Sequence, residues 1–200
     1  MLCDVSISSQ DITNTGRVLD RWTTNYNAQV ILGLSGQPLP DWPGFTVKPE
    51  EFDIAPLDKN GVFRFYRKYS GFGGRYNLIE SIDGAGPGVI RGLMIYKQIE
   101  DFAGMNGVRY QYSPYLLEAL KHLVNCYLLL RDEDVSVAMI PFGIGEMRFT
   151  RTCRPGEPLI LEGRLCSQES RGSTWDVRAV DAAGHTIMTA TGLIMKSFAG

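Results

Sequence analysis

SPYLLEALKHLVNCYLLL, residues 113–130, dictates how the rest of the chain must be arranged. Ser113 stands at an N-cap position and Pro114 at the first helical position, where its missing N–H costs nothing and its fixed φ suits the helix. Leu116, Leu117, Leu120, Leu123, Val124, Tyr127 and Leu128 then point to several sides of that helix. A helix apolar on most of its faces must be covered on most of its sides. A curved sheet meets that demand. The stretch therefore predicts an α+β fold in which an antiparallel sheet wraps one long central helix.

The flanking sequence supplies the strands. Beyond the acidic run at 132–134, the segments 135–151, 158–170 and 174–198 alternate or run apolar, with RPGEP (154–158) and DAAGH (181–185) as turns. They predict four antiparallel strands. Upstream, GVFRFYRKY (61–69) fits a short helix or a strand, and residues 74–97 read as two strands joined by a glycine-rich turn at 83–88. The first sixty residues contain too few apolar positions for a core of their own. They predict a strand at 26–34, then a linker at SGQPLPDWPG (35–44), and Pro49 and Pro56 disfavour a helix after it. The chain divides into lead-in strands and linker over 1–60 and a main domain over 61–200.

Composition narrows the function classes. Lys plus Arg total 20 against 22 for Asp plus Glu, a net charge of −2, which supplies no field to draw in nucleic acid or an anionic membrane. The N-terminus lacks the basic and apolar regions of a signal peptide, and no apolar run approaches the ~20 residues that cross a bilayer. Cys3, Cys126, Cys153 and Cys166 show no C-x-x-C spacing, so free thiols, no metal site and a cytoplasmic location are expected.

Three segments could carry chemistry. Glu118 and His122, one of only two histidines, share a helical stripe with Asn125 inside the apolar helix. Such a pair near a helix start is also an ordinary solvated i, i+4 contact. Burial would raise the carboxyl pKa and suit Glu118 to donate a proton near neutral pH. SGFGGRYN (70–77) exposes backbone N–H groups at Gly73 and Gly74 that could polarise a carbonyl, or it is a tight turn. IPFGIG (140–145) places a proline in a β run, as a bulged or edge strand does. His185, in a turn, is expected at the surface. Nucleotide-binding, zinc-protease and serine-hydrolase motifs are not found.

Taken in order, these segments resemble the dehydratase domain of polyketide synthases, mainly its C-terminal half. FGGRY (72–76) is similar to that family's YGPxF-like loop. SPYLLEALKH (113–122) is similar to its helix motif Asp-x-x-x-Gln/His, with Glu118 at the Asp position and His122 at the Gln/His position. IPFGI (140–144) is similar to its LPFxW-like strand, without the tryptophan. The resemblance covers about residues 60–198 and implies a hot-dog fold, with residues 1–50 as the tail strands of a partial first hot dog or a wrap-around segment.

It further implies loss of water from a 3-hydroxyacyl chain carried on the phosphopantetheine of an acyl carrier protein, with no other cofactor. Glu118 would be the acid and His122 its orienting partner, while Phe72, Gly73, Gly74, Tyr76, Pro141 and Phe142 would line the substrate. The family's N-terminal His-x-x-x-Gly-x-x-x-x-Pro motif is absent, since no histidine precedes residue 122. A second hot-dog half or a homodimer is therefore an expected partner. Two other readings stand beside it: a hot-dog acyl thioesterase, in which a helix carboxylate is ordinary, and a non-catalytic acyl-binding domain of a megasynthase.

Overall fold

The computed structural model describes residues 2–13, 15–16, 18–31, 44–69, 77–97, 114–131 and 139–197. Two compact units divide between Trp42 and Pro43, within the proline-rich linker. The first is an antiparallel hairpin of β1 (Leu2–Ile12) and β2 (Val18–Ile31), paired from Leu2 opposite Ile31 to Ile12 opposite Val18 with register shifts at Ile7/Ser8 and Gln10/Ile12. Lead-in strands were expected there, with bounds for one of them, at 26–34. Both arms are strands, and β2 starts eight residues earlier; Cys3, Val5 and Ile7 stand opposite Val30, Ala28 and Tyr26, a short alternation diluted by polar neighbours such as Ser6, Ser8, Thr23 and Asn27.

The second unit runs through a short 3-10 turn (Pro49–Glu51), α1 (Lys59–Tyr69), β3 (Ile79–Gly86), β4 (Val89–Ile95), α2 (Pro114–Arg131), β5 (Ile140–Gly143), β6 (Glu146–Phe149), β7 (Pro158–Glu169), β8 (Gly172–Val180) and β9 (Thr186–Lys196). Its seven strands form one sheet in the order β3-β4-β7-β8-β9-β5, with β6 also paired to β9, and every pairing is antiparallel. Five strands follow α2 where four were expected. Gly145 splits the segment 139–149 into β5 and β6, donating its N–H to the carbonyl of Thr191 on β9.

α2 lies against one face of this sheet, as a hot-dog fold requires, packing on β3, β4, β7 and β8. Leu120, Leu123 and Val124 have no exposed surface, and each such side chain stabilises the fold by about 1.5–3 kcal/mol. Trp175 of β8 is fully buried in the core, its ring edge-on to Tyr127 at 4.7 Å and its Nε1 donating to Ser173 Oγ at 2.8 Å. The Tyr127 hydroxyl accepts the N–H of Gly88 at 2.9 Å and so ties α2 to the β3–β4 turn. Asn125 anchors the helix to the residue just before β5: its amide donates to the Met139 carbonyl at 3.2 Å and accepts the Met139 N–H at 3.1 Å.

Residues 45–57 form a strap across the sheet. The N–H of Val47 donates to Glu162 Oε1 at 3.2 Å, and Glu162 Oε2 pairs with Arg178 Nε at 2.5 Å. Further along, Ile54 bridges Ala85 and Leu57 bridges Ile82. The strap crosses β3 so closely that a Cβ on Gly86 would stand 1.6 Å from the Glu51 carbonyl oxygen. The stretch 1–60, read as a lead-in, thus comprises a hairpin and this strap.

Candidate active site

α2 has one stripe that the sheet leaves partly open, formed by Glu118, Lys121 and Asn125. His122 borders it but is only 3% exposed. Its two ring nitrogens face two different partners. Nδ1 lies 2.9 Å from the Tyr66 hydroxyl on α1, and Nε2 lies 3.3 Å from Glu118 Oε1. The second approach is at ion-pair range and longer than a good hydrogen bond. Glu118 Oε2 accepts from Lys121 Nζ one turn along. A tyrosine, a histidine and a carboxylate thus run in a line from the buried end of the site to its half-open end.

Local sequence explains each position. Val62 and Tyr66 are four residues apart on α1 and both face the core. Glu118, Lys121 and His122 stand at i, i+3 and i+4, where helix side chains meet. The Tyr66 and His122 rings are tilted at 59° with centroids 5.2 Å apart, so α1 packs its aromatic directly on the imidazole.

The charge state of Glu118 corrects a sequence expectation. Its carboxyl was expected to be raised by burial. It is instead held down at about 2, first by its interaction with His122, against which desolvation pushes upward, and then by the Lys121 ammonium. The helix is apolar, yet it places two nitrogen donors one turn beyond the carboxylate, and these outweigh the burial. Glu118 is an ionised carboxylate at neutral pH. Tyr66 is driven the other way: burial, then the nearby Cys126 and Glu118, raise its phenol far above the usual range, so it stays a proton donor. Burial pushes the Cys126 thiol up to about 12, which excludes it as a resting thiolate nucleophile.

The other predicted residues divide. Phe72, Gly73, Gly74 and Tyr76 lie outside the described residues. Pro141 and Phe142 fall on β5, the end of the sheet, where proline is tolerated, and the register shifts between Pro141 and Gly143. Phe142 is 55% exposed and its ring lies under Lys196 Nζ at 3.9 Å. His185 caps an Asp181 turn at the surface, with Nδ1 3.3 Å from Asp181 Oδ2. Sequence reasoning overlooked Tyr66 and Lys121. Lys121 was legible from its i+3 spacing; Tyr66 required knowing that 59–69 is a helix and which face it turns inward. Among the described residues no His, Cys, Asp and Glu cluster could hold a metal, and no helix is long and apolar enough to cross a membrane.

A long helix wrapped by one antiparallel sheet is the arrangement of a hot-dog domain. A family model described as the polyketide synthase dehydratase N-terminal domain matches residues 56–200, and the chain belongs to that family. The model's name refers to the N-terminal domain, whereas the motif order resembled the C-terminal half; the family is common to both. Among solved structures, the dehydratase domain from the CurJ module of curacin polyketide synthase is similar at 14% identity and a TM-score of 0.67, covering 98% of this chain and 63% of that one. The dehydratase domain of RzxB from Pseudomonas fluorescens is similar at 16% identity and a TM-score of 0.64, covering 97% and 64%. A trans-AT polyketide synthase dehydratase domain from Brevibacillus brevis is similar at 9% identity and a TM-score of 0.69, covering 98% and 66%. At these identities the likeness is one of fold. The chain spans about two-thirds of the length of the dehydratase domains it matches. No curated protein sequence is significantly similar to it.

Proposed function

We propose that this chain supplies the carboxylate-bearing part of a dehydratase site, acting on 3-hydroxyacyl thioesters presented on the phosphopantetheine arm of an acyl carrier protein, in the cytoplasm and with no cofactor of its own. The observation that carries the reading is the line Tyr66–His122–Glu118, which aims a buried imidazole at the half-open carboxylate of the core helix. The reading is supported by the resemblance of Glu118 and His122 to the family's Asp-x-x-x-Gln/His helix motif, with Glu in place of Asp.

In the elimination, a base removes the proton on C2, the C2–H electrons form the C2=C3 bond, and the C3–O bond breaks. The hydroxyl leaves as water with a proton from the acid. Glu118 in its resting, ionised state accepts a hydrogen bond from the 3-hydroxyl and orients it. To assist departure it must first gain a proton, and an acyl chain that strips water from the carboxylate works in that direction. The base is expected from a histidine-bearing partner or segment, because His122 is engaged with Tyr66 and Glu118 and His185 lies on a surface turn. A histidine-to-phenylalanine variant of the CurJ dehydratase is described as inactive, which supports the need for a histidine.

The test is conversion of a 3-hydroxyacyl carrier substrate to the enoyl thioester, followed as loss of water by mass spectrometry. The expected outcome is no conversion by these 200 residues alone and conversion once a histidine-bearing first half of a family domain is added. Glu118→Gln then lowers the restored rate by about 10²–10⁴-fold, the usual weight of a general acid. Conversion by the chain alone, unchanged in Glu118→Gln, overturns the reading. An ionised carboxylate is also the state that a thioesterase base requires, so release of free thiol is followed in the same reaction. Thiol release that depends on Glu118 would assign hydrolysis instead.

A further inference from the structure

We propose that Tyr66 is a positioning residue for Glu118: its hydroxyl donates to His122 Nδ1 and thereby fixes the imidazole in the tautomer whose Nε2–H points at the Glu118 carboxylate. The importance of Glu118 rests on the dehydratase reading above; the tautomer itself does not.

The argument runs from proton counting. An ionised carboxylate only accepts hydrogen bonds. At 3.3 Å the Glu118 carboxylate lies beyond a formed hydrogen bond, so it favours a hydrogen on the facing Nε2 without fixing it there by itself. In a neutral imidazole the other nitrogen is then an acceptor. That nitrogen, Nδ1, meets the Tyr66 hydroxyl at 2.9 Å, a group that remains protonated and can donate. Each proton along the line points the same way, from Tyr66 through His122 to Glu118. Reversing the histidine tautomer would set a lone pair against the carboxylate, which is repulsive.

Two different helices build this line. Glu118 and His122 come from α2, whereas Tyr66 comes from α1 and is 3% exposed. The α1–α2 packing therefore sets the direction of the candidate acid through a single hydroxyl. Removing that hydroxyl leaves the ring and its packing in place, but it frees the imidazole to adopt either tautomer. Glu118 then loses a fixed donor.

The chain contains only two histidines, so the imidazole nitrogens can be resolved by ¹⁵N NMR without crowding, and His185→Gln assigns the remaining signals. In the wild-type chain at neutral pH, His122 is expected to show a hydrogen-bearing Nε2 and a lone-pair Nδ1. A hydrogen-bearing Nδ1 with a lone-pair Nε2, or two hydrogen-bearing nitrogens, overturns the proposal with no variant needed. In Tyr66→Phe, checked for an intact fold by circular dichroism, both nitrogens are expected to move toward averaged positions. An unchanged spectrum overturns it. These spectra read the tautomer whether or not the chain dehydrates anything, so failure of the dehydratase reading and failure of this proposal are separate results.

Discussion

At the scale of single residues, the site is governed by a contest between burial and pairing. Glu118 is held at about 2 by His122 and Lys121. A depressed carboxylate contributes stability that is fully present above its unfolded value, 4.5, and is lost as pH falls through its folded value. The wild-type chain should therefore lose stability between about pH 4.5 and about pH 2 by more than Glu118→Gln does. Denaturant melts of both at several acidic pH values check this, and parallel curves would mean that the pairing contributes nothing. Glu162 poses the opposite case, a charge with almost no solvent. Its side chain is 4% exposed and that of Arg178 13%. Glu162→Ala should cost about 3–5 kcal/mol, because it strands the guanidinium and releases the strap at Val47. The Glu118–His122 pair was legible in the sequence because helical spacing alone brings it together. Tyr66 and the charge state of Glu118 were not, since both depend on which side chains a second element and a neighbouring turn bring within reach.

Among the elements, the tightest constraint is the crossing of the strap over β3. Gly86 faces the Glu51 carbonyl, and Gly84 faces the ring of Phe52, whose Cδ2 would lie 2.4 Å from an added Cβ. Gly86→Ala must push backbone away from backbone. It should destabilise the second unit by about 1–3 kcal/mol or more. Gly143→Ala is the control: its new methyl would meet Ile194 Cδ1 at an ordinary 3.7 Å, and a shift within about 0.5 kcal/mol is expected by thermal melting. α2 and the β3–β4 hairpin were readable because each carries its own cap, turn and apolar pattern. The strap was not, because its partners, Glu162 and Ala85, lie far along the chain and no local pattern announces them. The β1–β2 hairpin was read only in part: Tyr26, Ala28 and Val30 alternate clearly in β2, whereas Cys3, Val5 and Ile7 are a short run among many polar residues in β1.

Considered whole, the second unit holds the main hydrophobic core by itself. The cluster that surrounds α2 extends from Val62 to Met195, and among the described residues none of its members comes from the first 42. A truncated chain of residues 43–200 should therefore unfold in one cooperative step and keep the wild-type far-ultraviolet signature of α2. A truncated chain that expresses only as a molten or aggregated species would show that the hairpin unit is needed for the fold. Family membership was readable at this scale from motif order. The share of a full dehydratase domain that the chain represents emerged from structural overlap, because no motif measures length.

The burial of Trp175 gives that truncation an optical readout. Trp22, Trp42 and Trp175 are the three tryptophans, and removing residues 1–42 leaves Trp175 as the sole emitter. Its indole has no exposed surface, hydrogen-bonds the Ser173 hydroxyl two residues away, and stands 4.7 Å from the Tyr127 ring. Its fluorescence should be blue-shifted, closed to iodide quenching and sensitised by light absorbed at Tyr127. A red shift on loosening the core would then report directly on the helix that carries Glu118 and His122, in a molecule with no second tryptophan to blur the signal.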